Sequence, residues 1–227
     1  MNKASLMTPI KLMLFDLDGT LIDSRADITK SVNLMLEEMD RPPLEEATVA
    51  GFVGDGVRVL VYRALTAADP AHRPPDDNLH ADGLALIRKH YSEQMLETTK
   101  LFAGVEETLD HFRDKRKAIV TSKEVGFTER IIGALGIAGY FDCVVGGDTL
   151  PERKPDPRPV LEAIIRLGGS PDEAVMIGDS ENDMTSGSRA GARTCAVTYG
   201  FRTAERLRLT SPDFIIDRFD ALETLFV

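Results

Sequence analysis

The chain has 227 residues, of which 43% are hydrophobic and 28% charged, with a net charge of −10. Those values fit a globular protein of one large domain, or a main domain with a smaller companion. The acidic balance argues against a nucleic-acid backbone or an anionic membrane as the main partner, and an anionic substrate would need a local positive centre such as a bound divalent cation.

The N-terminal residues reach the first Asp after an apolar run too short for a secretory signal or a membrane span, so the chain reads as cytoplasmic. Leu12–Phe15 is the first of several short, non-alternating apolar runs. Ala118–Val120, Cys143–Val145, Ala174–Ile177, Thr194–Val197 and Phe214–Ile216 follow. Runs of this length without alternation predict strands buried on both faces of a parallel sheet. Between them lie stripes at helical spacing: Val105, Leu109 and Phe112; Ile131, Leu135 and Ile137; Val160, Ile164 and Leu167. The alternation predicts an α/β fold with a doubly wound, Rossmann-like parallel sheet. Cys143 and Cys195 each lie in an apolar run and read as buried free thiols, and no Cys/His cluster has zinc spacing.

The first connection is too long for a simple βαβ unit, so residues 22–98 read as an inserted helical domain, with residues 1–21 and 99–227 forming the core. Helical stripes fall on Ile28–Met39, Val57–Leu65 and Leu84–Met95, and the Pro- and Asp-rich stretch Asp69–Asp77 reads as a loop. Helix Ile28–Met39 could instead pack on the sheet.

The polar residues of interest follow the strands, at the edge where open α/β sheets bind ligands. Asp16 and Asp18 leave the first strand together, Gly19 permits a tight turn, and Thr20 can hydrogen-bond to hold it. Thr121 and Ser122 follow the second long run and offer donors to an anion. In Gly178-Asp179-Ser180-Glu181-Asn182-Asp183, Asp183 lies one helical turn beyond Asp179. A capping Asp at a helix start would explain that spacing equally well. Lys154 sits between Arg153 and Pro155, in a loop that Pro155 and Pro157 stiffen, as a fixed ammonium. Four carboxylates in one crevice repel one another unless a cation is present. Hard oxygen ligands without His or Cys point to Mg²⁺.

These four pieces, in this order, resemble the four motifs of the haloacid-dehalogenase superfamily, over nearly the whole chain, and the inserted helices are similar to that superfamily's cap. The resemblance implies a phosphatase in which Asp16 attacks phosphorus to form an aspartyl-phosphate and Asp18 acts as acid and base. It implies Mg²⁺ held by the Asp16 carboxylate, the Asp18 backbone carbonyl and Asp179, with Asp183 and Thr20 supporting. Thr121, Ser122 and Lys154 would clamp the phosphoryl group. Within the superfamily the chain is most similar to the phosphoglycolate phosphatase family. The carriers are Gly54-Asp55-Gly56 with the helix after it, Gly146-Gly147-Asp148, the Lys-Pro run and Thr198-Tyr199-Gly200-Phe201. A helix N-terminus after Gly54 and Gly56 could receive a substrate carboxylate, or the segment is a turn before a core-facing helix. Arg58 and Arg63 read as surface charges. Where that family has Thr-Asn-Lys, this sequence has Thr121-Ser122-Lys123, which bears on substrate preference.

The expected partner is a small phosphorylated metabolite, 2-phosphoglycolate first, acted on by a monomer or homodimer. A broader small-phosphate or pyrophosphate hydrolase, a phosphomutase like β-phosphoglucomutase, and a catalytically silent phosphate-binding module are the alternatives.

Overall fold

The computed structural model describes residues 9–226. Residues 1–8, on which the leader reading partly rests, lie outside the described residues, as does residue 227. In chain order the elements are β1 (Leu12–Phe15), β2 (Ile22–Asp23), α1 (Arg25–Glu38), α2 (Glu46–Phe52), α3 (Val57–Ala68), α4 (Asp77–Gln94), β3 (Lys100–Leu101), α5 (Val105–His111), β4 (Arg116–Val120), α6 (Val125–Ala134), β5 (Cys143–Val145), α7 (Arg158–Arg166), β6 (Ala174–Gly178), α8 (Glu181–Arg189), β7 (Arg193–Val197), α9 (Ala204–Arg208), β8 (Phe214–Ile216) and α10 (Leu222–Leu225).

Six of the strands form one parallel sheet in the order β5-β4-β1-β6-β7-β8, giving the Rossmann-like α/β architecture expected. Successive side chains of a strand point to opposite faces. Accordingly Met13 and Phe15 join the apolar cluster with Leu109, Ile131 and Phe219, while Leu12 and Leu14 join Val160 and Ile164 on the other face. Both faces are covered, which is why the runs are apolar without alternation.

β1 lies between β4 and β6, with Phe15 level with Ile119 on one side and Ile177 on the other. The chain thus leaves β1 in opposite directions, first to β4 and β5 and later to β6, β7 and β8. That reversal opens a crevice at the carboxyl edge of the sheet. It puts residues 16, 121 and 179 on adjacent strand ends.

The long connection holds four helices, one more than the three stripes predict, because the seven-residue α2 buries only Val49 and shows no legible stripe. Nor is the segment helical from its start: Ile22 and Asp23 pair antiparallel with Leu101 and Lys100, so the chain leaves and returns side by side. α1 packs against α4, α2 and α3 rather than on the sheet. Asp27 ties its base to the returning strand, accepting from the backbone N–H and hydroxyl groups of Thr98 and Thr99 at 2.6–3.1 Å. Those bonds hold its carboxyl below the ordinary range against the opposing effect of burial. Cys195 is buried and Cys143 half-buried, both free thiols. Among the described residues no helix is long and apolar enough to cross a membrane.

Candidate active site

The backbone of Asp16 still belongs to the sheet, its N–H donating to the Ile177 carbonyl at 2.9 Å. One residue on, the chain turns. Gly19 N–H donates to Ile22 O, and the N–H groups of Thr20, Leu21 and Ile22 all converge on Leu17 O. Gly19 has φ +84°, and a Cβ there would sit 2.2 Å from Asp179 Oδ2, so only glycine fits. The expectation that the Thr20 hydroxyl secures this turn fails. Its Oγ1 has no hydrogen-bond partner among the described residues, and the backbone bonds, with Tyr199 Oη donating to Thr20 O at 2.9 Å, do that work instead.

Lys154 reaches into the crevice from the loop after β5. Its Nζ donates to Asp16 Oδ1 at 2.9 Å, Asp183 Oδ1 at 2.5 Å and Val120 O at 2.7 Å, which satisfies all three of its hydrogens. Burial favours the neutral amine, but Asp16 and Asp183 more than offset it and hold the ammonium charged well above the usual lysine range. Asp183 serves two purposes at once. Its Oδ2 accepts from Ser180 N–H and Oγ at 3.0 and 2.6 Å, closing a capping box at the start of α8, while Oδ1 carries Lys154. Asp183 therefore caps α8 and holds Lys154 at the same time.

Asp16, Asp179 and Asp183 each bring a carboxylate oxygen within 4.8 Å of the others, all three buried. Burial pushes Asp16 up to about 7, with Asp183 and Asp18 adding to it and Lys154 opposing. Burial, then Asp16 and Asp183, raise Asp179 well above the carboxylate range although Phe201 N–H donates to its Oδ2 at 2.6 Å. One ammonium is thus too little positive charge for these acids. The donor set is oxygen only, and it fits a hard divalent cation. Both oxygens of Asp183 are committed to Lys154 and Ser180, whereas Asp16 and Asp179 each keep a carboxylate oxygen that could hold such an ion.

Asp18 faces the helical insertion. Its Oδ1 accepts from Ser24 Oγ at 2.5 Å and pairs with Lys123 Nζ at 3.0 Å. The Lys123 side chain is 8% exposed. Burial lowers its affinity for a proton, but Asp18 and Tyr91 raise it further, so the ammonium persists. It also contacts the Tyr91 hydroxyl, on α4, whose own ionisation burial pushes up to about 12. Sequence reasoning names Lys123 only within Thr121-Ser122-Lys123 and gives it no role, although it directly follows Thr121-Ser122 in the same strand-end turn.

Thr121 lines the cavity, and its Oγ1 accepts from Lys123 N–H at 3.2 Å. Ser122 lines it too, but its hydroxyl donates across to Gly54 O at 2.7 Å. Gly54 and Gly56, with φ +116° and +87°, form the loop before α3 and close the cavity from the insertion side. Behind them α3 buries Leu60, Val61, Ala64 and Leu65, so loop and core-facing helix coexist. Arg63 braces the loop through Asp55 at 2.5 Å. The remaining walls are largely apolar: Ile28, Val57, Leu60, Ile87 and Phe127.

A buried cluster of acids around a fixed lysine at a topological switch point, with a helical insertion above it, defines a hydrolase class, and the sequence profile of haloacid dehalogenase-like hydrolases matches residues 13–197. The chain belongs to that family. Among its relatives is a phosphoglycolate phosphatase of Pseudomonas putida, 37% identical over 93% of this chain and 78% of the relative. The phosphoglycolate phosphatase of Thiobacillus denitrificans is 38% identical over 85% of both chains. The crystal structure of a predicted phosphoglycolate phosphatase from Haemophilus somnus superposes with a TM-score of 0.91 at 31% identity, over 96% of this chain and 99% of the other.

Proposed function

We propose that the chain is a Mg²⁺-dependent phosphatase that hydrolyses a small phosphomonoester, 2-phosphoglycolate first, through an aspartyl-phosphate on Asp16. Residues 22–98 are its cap, and residues 1–21 and 99–227 its core. The observation that carries this reading is Lys154 Nζ seated between Asp16 and Asp183 beside a second buried acid, Asp179. The names of the relatives direct the choice of substrate.

In the first step an Asp16 oxygen bonds to phosphorus and the bond from phosphorus to the leaving oxygen breaks. Asp18 supplies the proton that the leaving alkoxide needs. Ser24 and Lys123 both engage Oδ1, which assigns that proton to Oδ2. In the second step Asp18 takes a proton from water, which attacks phosphorus and releases phosphate with Asp16 restored. The Thr121 hydroxyl donates to a phosphoryl oxygen, and the Lys154 ammonium, its hydrogens shared with Asp16, Asp183 and Val120, stabilises by its field the charge that builds there. Mg²⁺, held by Asp16, Asp179 and the Asp18 carbonyl, would neutralise the phosphate and orient it for in-line attack. The backbone N–H groups at the start of α3, next to the cavity-lining Gly54 and Gly56, would take the substrate carboxylate.

The apolar walls formed by Ile28, Leu60, Ile87 and Phe127 favour a second reading, a broader hydrolase whose leaving group is bulkier than glycolate. A panel of phosphorylated metabolites with Mg²⁺, ranked by kcat/KM, separates the two, and product identification separates hydrolysis from phosphate migration. Asp16→Asn abolishes turnover and leaves no phosphorylated protein. Near-wild-type turnover in that variant would end the proposal.

A further inference from the structure

Arg202 lies in the loop after β7, on the sheet side of the crevice, yet its hydrogen bonds go to the insertion. One terminal nitrogen donates to Ala50 O at 3.1 Å and the other to Val53 O at 2.5 Å. Ala50 is in the last turn of α2 and Val53 is its C-cap. Val53 O is a carbonyl beyond the helix end, Ala50 O takes Arg202 as a second donor beside the C-cap N–H of Val53 at 3.3 Å, and the negative end of the helix favours a cation there. The guanidinium is buried, and Glu181, at the start of α8, faces its Nε at 3.6 Å from the sheet side.

Two further donors grip the same short segment. Ser122 Oγ donates to Gly54 O at 2.7 Å, and Asn182 Nδ2 to Asp55 Oδ1 at 2.6 Å. Residues 50–55 are therefore held from three places, the loops following β4 and β7 and the first turn of α8 beyond β6. The same stretches of chain carry Thr121, Asp179 and Phe201, and Phe201 N–H fixes Asp179. Because Arg202 directly follows Phe201, the residue that orients a metal-binding carboxylate and the residue that grips the insertion move as one piece of backbone.

We infer that Arg202 is a positioning residue that straps the Gly54–Gly56 loop over the phosphoryl site, with Ser122 and Asn182 as auxiliary donors. Of the three, only Arg202 combines charge with two simultaneous bonds, and charge-assisted bonds are the strong ones. Ser122, where the similar family carries Asn, acts here on the cap carbonyl. The strap rests on the phosphatase reading for its kinetic consequence but not for its structural one.

Arg202→Met keeps the apolar stem and removes the donors; Arg202→Lys keeps the charge but cannot bond both carbonyls in the same plane. Hydrogen exchange of the full-length, substrate-free protein is the primary measurement. In Arg202→Met, amides 51–58 exchange roughly tenfold faster while those of β1 and β6 keep wild-type protection, with Arg202→Lys intermediate. The KM for 2-phosphoglycolate rises about tenfold, whereas phosphorylation of Asp16 by acetyl phosphate, which has no carboxylate for the loop to receive, stays within about twofold. Unchanged exchange at 51–58 would overturn the inference. So would faster exchange throughout the sheet, since Arg202 would then be a general stabiliser. If wild-type protein does not turn over 2-phosphoglycolate, the substrate reading fails while the exchange result still decides the strap.

Discussion

In metal-free protein, ionising Asp16 should cost stability, and the cost can be worked from its surroundings. Its folded-state pKa is about 7 against 3.8 for the unfolded chain. Between those values the folded state holds a proton that the unfolded state has released, so stability falls as pH rises through that window. At about 1.4 kcal/mol per unit, the accumulated loss by pH 7 is roughly 4 kcal/mol. Below pH 3.8 both states hold the proton and the loss vanishes. Asp16→Asn mimics the protonated acid in shape and neutrality, so it removes this titration together with its coupling to Asp179 and Lys154. Urea unfolding of wild type and Asp16→Asn, with a chelator present and midpoints taken from pH 5 to 8, is the assay. The variant gains on wild type as pH rises, by on the order of 2–3 kcal/mol across that range. Added Mg²⁺ reverses the order, because the ion stabilises the protein that binds it. Parallel midpoints from pH 5 to 8 without metal would refute the claim that burial and neighbouring acids strain this carboxylate.

Two other substitutions probe the same network. Lys154→Met leaves Asp16 and Asp183 buried without their ammonium, which costs about 3–5 kcal/mol and lowers the melting temperature of the metal-free protein by roughly 6–20 °C. It also lowers kcat by about 100-fold or more, and calorimetry with steady-state kinetics checks both. Lys123→Met removes one of the two groups that fix Asp18 Oδ1, so kcat falls about tenfold or more while Mg²⁺ affinity is kept. An unchanged kcat would show that Ser24 alone orients the acid.

Much of the fold was legible because its causes are local. A strand covered on both faces is apolar along its length, so runs such as Leu12–Phe15 and Ala174–Ile177 are plain in the sequence, and all six runs are strands of the sheet, although Ile215 on the edge strand is exposed. The candidate site was legible for a related reason. Asp16, Thr121 and Asp179 each directly follow such a run, or nearly so, and strand ends share an edge. The four motifs in order did the rest, and the structure brings Lys154 against Asp16 and Asp183, although nothing about an isolated lysine distinguishes it.

What the tertiary structure alone decided lies where the insertion meets the sheet. The two-residue ladder between Ile22–Asp23 and Lys100–Leu101 is too short to carry a periodic signal, and so is α2. Ser122 and Gly54 are 68 residues apart, and Arg202 and Ala50 are 152 apart. A hydrogen bond between an arginine and a helix-end carbonyl leaves no pattern in either segment, because every residue has the same carbonyl. Composition and periodicity determine which face of an element is buried; which polar group meets which across a closed crevice depends on how the elements dock.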